Sequence, residues 1–108
     1  LLSDITTING TLTSIAFALG LLPSSRLAGT LVYNPPNLLA LGTTTQAVTV
    51  TGATLGWQAA ATFSLDLQGL MMTAYVSAAD TVTVVLFNPT AGSINLGSGT
   101  LTAFAVEP

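Results

Sequence analysis

The chain is predicted to be all-β: an antiparallel β-sandwich or jelly-roll-like module preceded by a short N-terminal heptad segment. Three observations predict this. From Ala47 to Val106, short runs alternate apolar with hydroxyl-bearing residues, as in Thr81-Val82-Thr83-Val84-Val85-Leu86. Val82, Val84 and Leu86 then project to one side and Thr81 and Thr83 to the other, the pattern of a strand with one buried face. Turn-forming residues interrupt these runs every 8–12 residues or so, the spacing of sandwiches and jelly rolls. Residues 1–22 instead carry an apolar seam. The expected division is therefore an N-terminal oligomerisation stalk or arm over 1–26 and a β-sandwich domain over 27–108.

Leu1, Ile5, Ile8, Leu12, Ile15, Leu19 and Leu22 follow one another at spacings of 4, 3, 4, 3, 4 and 3. With Ile5, Leu12 and Leu19 at a and Ile8, Ile15 and Leu22 at d, the mixture of Ile and Leu favours three strands over two. A helix of that length would span about 33 Å. Thr6, Thr7, Thr11, Thr13, Gly10 and Gly20 are weak helix formers, and Asn9-Gly10 is a turn dipeptide, so two short extended segments hinged there remain the alternative. A monomer would have no use for the seam in either form. Self-association is expected through Ile5, Ile8, Leu12, Ile15, Leu19 and Leu22.

Pro23 ends any helix, and Ser24-Ser25-Arg26 makes a polar joint. Gly29–Tyr33 reads as a first strand, closed by Asn34-Pro35-Pro36-Asn37, where two missing backbone donors specify an edge or loop. Leu38–Thr45 reads as a connector. Strands are then expected over Ala47–Thr51, Trp57–Leu67, Leu70–Ser77, Asp80–Phe87, Ile94–Leu96 and Thr100–Val106, some seven or eight in all. Val85, Phe87, Phe104 and Val106 fall on nominally outer faces. Such a second apolar face suits packing against neighbouring subunits, with Pro35, Pro36, Phe87 and Phe104 as the candidate contacts.

Composition points the same way. Half of the residues are apolar but only 5% are charged, against about a quarter in a usual soluble domain. Arg26 is the only basic residue, there is no His, and the acids are Asp4, Asp66, Asp80 and Glu107. Phosphate binding requires several clustered cations, so nucleic acid is not an expected partner. A surface this poor in charge favours association. No run of about 18 apolar residues marks a spanning helix, so no membrane partner is expected. With no Cys, disulfides and thiolate metal sites are excluded.

The catalytic inventory is equally short. Without His, Cys or Lys, the usual general base, thiol nucleophile and Schiff-base amine are missing. Asp66 and Asp80 are the one carboxylate pair between Ala47 and Val106, and both sit beside turns, where Asp is common for conformational reasons. No calcium-loop pattern occurs, and Gly97-Ser98-Gly99 lacks the Lys and helix of a phosphate cradle. No catalytic residue, cofactor or metal is expected. Trp57, Tyr33 and Tyr75 could stack on a sugar, although packing in the core or at an interface is the commoner use of such residues.

Five segments occur in a familiar order: Tyr33-Asn34-Pro35-Pro36, Val48-Thr49-Val50-Thr51-Gly52-Ala53, Phe63–Gly69, Ala74–Val84 and Ile94–Leu101. Together they resemble small β-structured virion proteins of tailed bacteriophages and prophages. The resemblance implies a structural virion protein assembled in the host cytoplasm: a capsid decoration or cement protein, a head fibre or part of a tail fibre. With the heptad seam, a trimeric decoration or cement protein or head fibre is the expected form. Its partners would be itself and the major capsid protein or another virion protein. A tail-fibre or adhesin module recognising host surface glycans is the alternative. Members of that group often end in alternating Arg and Val, whereas this chain ends Phe104-Ala105-Val106-Glu107-Pro108.

Overall fold

The alternation of side chains builds two antiparallel sheets in the computed structural model, which describes residues 26–108. β1 (Arg26–Tyr33), β3 (Gln58–Phe63) and β6 (Gly99–Val106) form one sheet in the order β1-β6-β3. β2 (Thr43–Thr49), β4 (Met71–Ala78) and β5 (Thr81–Phe87) form the other, in the order β2-β5-β4. Each sheet turns one face inward. Val48, Val76, Val82 and Val84 from the second sheet join Leu101, Ala103 and Ala105 from the first in a single buried cluster. β5 and β6 are the central strands and bury every second residue. Small β-branched and Ala side chains suit this site, because two pleated faces must interlock closely.

Close approach is enforced at one point by Gly29 in β1, where a Cβ would overlap the Thr49 carbonyl oxygen at the end of β2. Glycine is needed there for space, since the two sheets touch backbone to backbone. A second buried cluster, Leu38, Leu70, Leu86 and Leu96, lies under the loops at one end. Tyr33 and Phe63 flank it, their rings edge to face with centroids 6.4 Å apart.

Several sequence expectations shift. The described residues contain six strands and not seven or eight. Ile94–Leu96 is no strand but a single bridge from Ile94 to Leu38, because the segment between Pro89 and Gly97 is tied down by side-chain bonds instead of a ladder. Thr43–Thr45 belong to β2 and pair with Phe87–Val85, so the connector before β2 ends at Gly42. β-branched Thr fits a half-exposed strand well.

The long Trp57–Leu67 strand shortens to Gln58–Phe63. Beyond it Asp66 accepts a hydrogen bond from the Gln68 amide at 3.0 Å, and Gln68 and Gly69 both take positive φ, which turns the chain. β1 starts at Arg26, the last residue assigned above to the N-terminal arm. The heptad positions Ile5, Ile8, Leu12, Ile15, Leu19 and Leu22 lie outside the described residues, as does the predicted stalk.

Candidate functional site: an apolar end and an aromatic groove

Register determines what each end of the molecule carries. Arg26, Val106 and Gln58 lie side by side at one end of the first sheet. At its other end Tyr33 pairs with Gly99 and Phe63 with Leu101. In the second sheet Thr43, Phe87 and Met71 form the terminal row. Tyr33 and Phe63 share a cluster with Leu86 and Met72, so these two sheet ends meet. They are termed the Phe87 end. Leu27 of β1 lies against the Gly52 turn, which puts the 50–57 loop at the opposite, Trp57 end.

Seven large apolar residues stay exposed among the described residues: Val32, Leu39, Leu41, Leu55, Leu65, Met71 and Tyr75. All but Leu55 and Tyr75 belong to the Phe87 end. Val32 is the penultimate residue of β1, Met71 the first of β4, Leu65 follows β3, and Leu39 and Leu41 sit on the loop before β2. Leu39 is 67% and Leu41 71% exposed. That concentration is unlike the scattered single apolar residues of an ordinary surface.

The loop is also held in shape. Leu41 has φ 62°, a left-handed conformation uncommon for a side chain of its kind. Its amide donates to the Asn88 carbonyl at 2.8 Å, and the Asn88 amide donates to Gly42 at 2.9 Å. The Asn88 side chain, fully buried, donates to the carbonyls of Leu38 at 2.9 Å and Gly92 at 2.8 Å and accepts from the Thr90 amide at 2.9 Å. A buried amide satisfied on both sides locks two loops together. Asp66, the one charged residue near this end among the described residues, is engaged by its own turn.

Of the residues singled out in the sequence, Pro36 is exposed in the loop after β1, whereas Pro35 is buried and presents no surface in the single chain. Phe87 is half-buried at the centre of the Thr43–Phe87–Met71 row. Phe104 is half-buried on the outer face of the other sheet between Ala28 and Ala60, with the Arg26 guanidinium 4.9 Å above its ring. The structure thus brings Pro36 and Phe87 to the Phe87 end and leaves Phe104 apart. Leu39 and Leu41 were missed in the sequence, read only as connector. The signal was there: three leucines within four residues of a turn-rich segment that needs none for a strand.

At the other end lies an open groove of about 490 Å³ lined by Trp57, Gln58, Ala59, Ala60, Ala74, Tyr75 and Val106. It crosses the outer strands β3 and β4, which are edges among the described residues, where the two sheets meet. Gly56, with φ 92°, and a bond from the Trp57 amide to the Thr54 carbonyl at 3.1 Å set the turn that delivers the indole. Trp57 is half-buried and packs against the core from one side. Tyr75 is 52% exposed. No charged side chain lines the groove.

Among the described residues, no three metal-ligating side chains converge, and no helix is long and apolar enough to cross a membrane. No protein-family model, curated protein or solved structure matches the chain.

Proposed function

We propose that this chain is a structural subunit of a tailed-phage virion, a trimeric capsid decoration or cement protein or a head fibre, seated through its Phe87 end. Its partner there would be the major capsid protein or another virion protein. The observation that carries the reading is the exposed Leu39–Leu41 loop, held rigid by Asn88 with Leu41 in a strained conformation. Strain kept at an exposed apolar residue is more useful for contact than for folding. Burying one such Leu contributes about 1.5–3 kcal/mol, part of which association entropy offsets. Copies linked in one trimer would bind the shell with added avidity.

Self-association through Ile5, Ile8, Leu12, Ile15, Leu19 and Leu22 is the part of the reading supported by the sequence pattern and by the scarcity of charge. The β module we read as jelly-roll-like, since four of its five connections cross between the sheets and only β4–β5 is a hairpin within one. The virion placement is supported by the resemblance of the five segments from Tyr33 to Leu101.

Three measurements test this. The full chain should have the native mass of a trimer, and a monomer at all concentrations would end the self-association part. Particles purified from the strain that encodes the chain should contain it. Particles freed of it should rebind the wild-type chain and bind a Leu39→Ser/Leu41→Ser chain at least about tenfold more weakly. Absence of the chain from particles, or equal binding by the double variant, would overturn the reading.

A second reading, a fibre or adhesin module recognising host glycans, is favoured by one observation, the aromatic groove at the Trp57 end.

A further inference from the structure

We infer that the Trp57–Tyr75 groove is a binding site for a neutral saccharide, with a pyranose ring held against the two aromatic side chains. The inference deepens the recognition reading and does not depend on docking through the Phe87 end, which lies at the opposite end of the strands.

A sugar ring offers one apolar C–H face and an equatorial belt of uncharged hydroxyls. The groove matches both. Trp57 is fixed by packing against the core on one side and supplies a flat wall on the other. Tyr75, from β4 of the other sheet, lines the same groove. Ala59, Ala60 and Ala74 line it as well and are small enough to let a ring approach the backbone. A volume of about 490 Å³ falls within the usual range for small-ligand sites, about 300–1,000 Å³.

The polar groups are of the right kind. Gln58 carries a carboxamide that both donates and accepts, Tyr75 a hydroxyl, and Trp57 an indole N–H. Among the described strands β3 and β4 are edges, with alternate backbone N–H and C=O groups directed beside the groove rather than into a ladder. All of these are neutral, like the hydroxyls they would meet, so binding removes no ion from water. An anionic sugar or a nucleotide would find no cation among the lining residues, which disfavours both. An apolar peptide would leave Gln58 and the edge amides to be satisfied by chance.

Trp57 is the chain's one tryptophan, so emission excited selectively at the indole, at wavelengths where Tyr33 and Tyr75 do not absorb, reports on this groove in the intact protein. The full chain is titrated with hexa-oligosaccharides of glucose, galactose, mannose and N-acetylglucosamine, beside sialylated and phosphorylated controls. At least one neutral series should give a saturable change of emission. Tyr75→Ala should weaken that binding about tenfold, the loss of one stacking ring. Tyr75→Phe should retain most of it, and Leu39→Ser/Leu41→Ser should leave it unchanged. No saturable response to any neutral oligosaccharide would overturn the proposal. So would equal binding by Tyr75→Ala whose fold is intact by circular dichroism. An emission change that follows protein concentration without sugar would also overturn it, since a second copy would then cover the groove.

Discussion

The carboxylate of Asp80 accepts a hydrogen bond from the backbone amide of Gly52 at 2.7 Å, joining two turns 28 residues apart in the chain. The backbone of Asp80 adds two more bonds, receiving one from the Val50 amide at 2.8 Å and donating one to the Ala53 carbonyl at 2.9 Å. Asp80 itself has φ 61° in the tight β4–β5 turn, a conformation that Asp tolerates better than most residues. Asp80 is thus a turn residue that also clamps the loop leading to Trp57. Asp80→Ala is expected to lower stability by about 2 kcal/mol, from a lost charge-assisted bond and a less tolerated backbone. Asp80→Asn keeps both features in weaker form and should cost less than half as much. Denaturant melts of the two variants test this order.

Asn88 makes the corresponding clamp at the Phe87 end, and does so wholly buried. Asn88→Ala leaves the carbonyls of Leu38 and Gly92 and the amide of Thr90 without its bonds. A loss of about 3 kcal/mol is expected in equilibrium unfolding. The Leu39–Leu41 loop should also become faster in hydrogen exchange, at Leu41 and Gly42 above all.

Gly29→Ala places a methyl group on the Thr49 carbonyl oxygen, a backbone atom that cannot swing away. The sheets must separate locally, for a cost of roughly 3 kcal/mol. Gly92→Ala, where no atom lies near the added methyl, is the matched control and should change the melting temperature little.

Leu41 separates folding from contact. Leu41→Asn relieves a left-handed leucine and removes an exposed apolar side chain, so stability should rise by about 0.5–1 kcal/mol. Binding to the particle should fall in the same variant. A gain in melting temperature with undiminished binding would detach this loop from the docking role.

Arg26 rests over Phe104 at 4.9 Å, a cation–π contact at an exposed site. Arg26→Ala is expected to cost about 0.5–1 kcal/mol. Arg26→Lys should recover part of that, because the ammonium retains the charge but not the planar stacking.

Strand identity was largely legible because side-chain alternation is a local property. Val82, Val84 and Leu86 are buried as their period of two requires, and so are Leu101, Ala103 and Ala105. Boundaries were less legible. Thr43–Thr45 resembled a connector until pairing with Phe87–Val85 gave them a ladder, and Leu65 lay within the expected Trp57–Leu67 strand until the Asp66–Gln68 turn placed it beyond the strand's end. The candidate sites were legible only in part. Trp57 and Tyr75 stood out as aromatic residues, but nothing in their spacing put them on one groove.

By itself the sequence determined the all-β class, the inward face of the central strands and the poverty of charge. Each follows from residue type and short-range periodicity, which the backbone reads locally. Only the tertiary structure decided which strands are neighbours and therefore what meets at each end. β1, β6 and β3 are brought together from distant stretches, and β2 and β5 likewise. That pairing gathers Leu39, Leu41 and Met71 at one end and Trp57 and Tyr75 at the other. The physical reason is that burial of a sheet face depends on apolar surface summed over strands far apart in the chain, and no local pattern records which of them will share it.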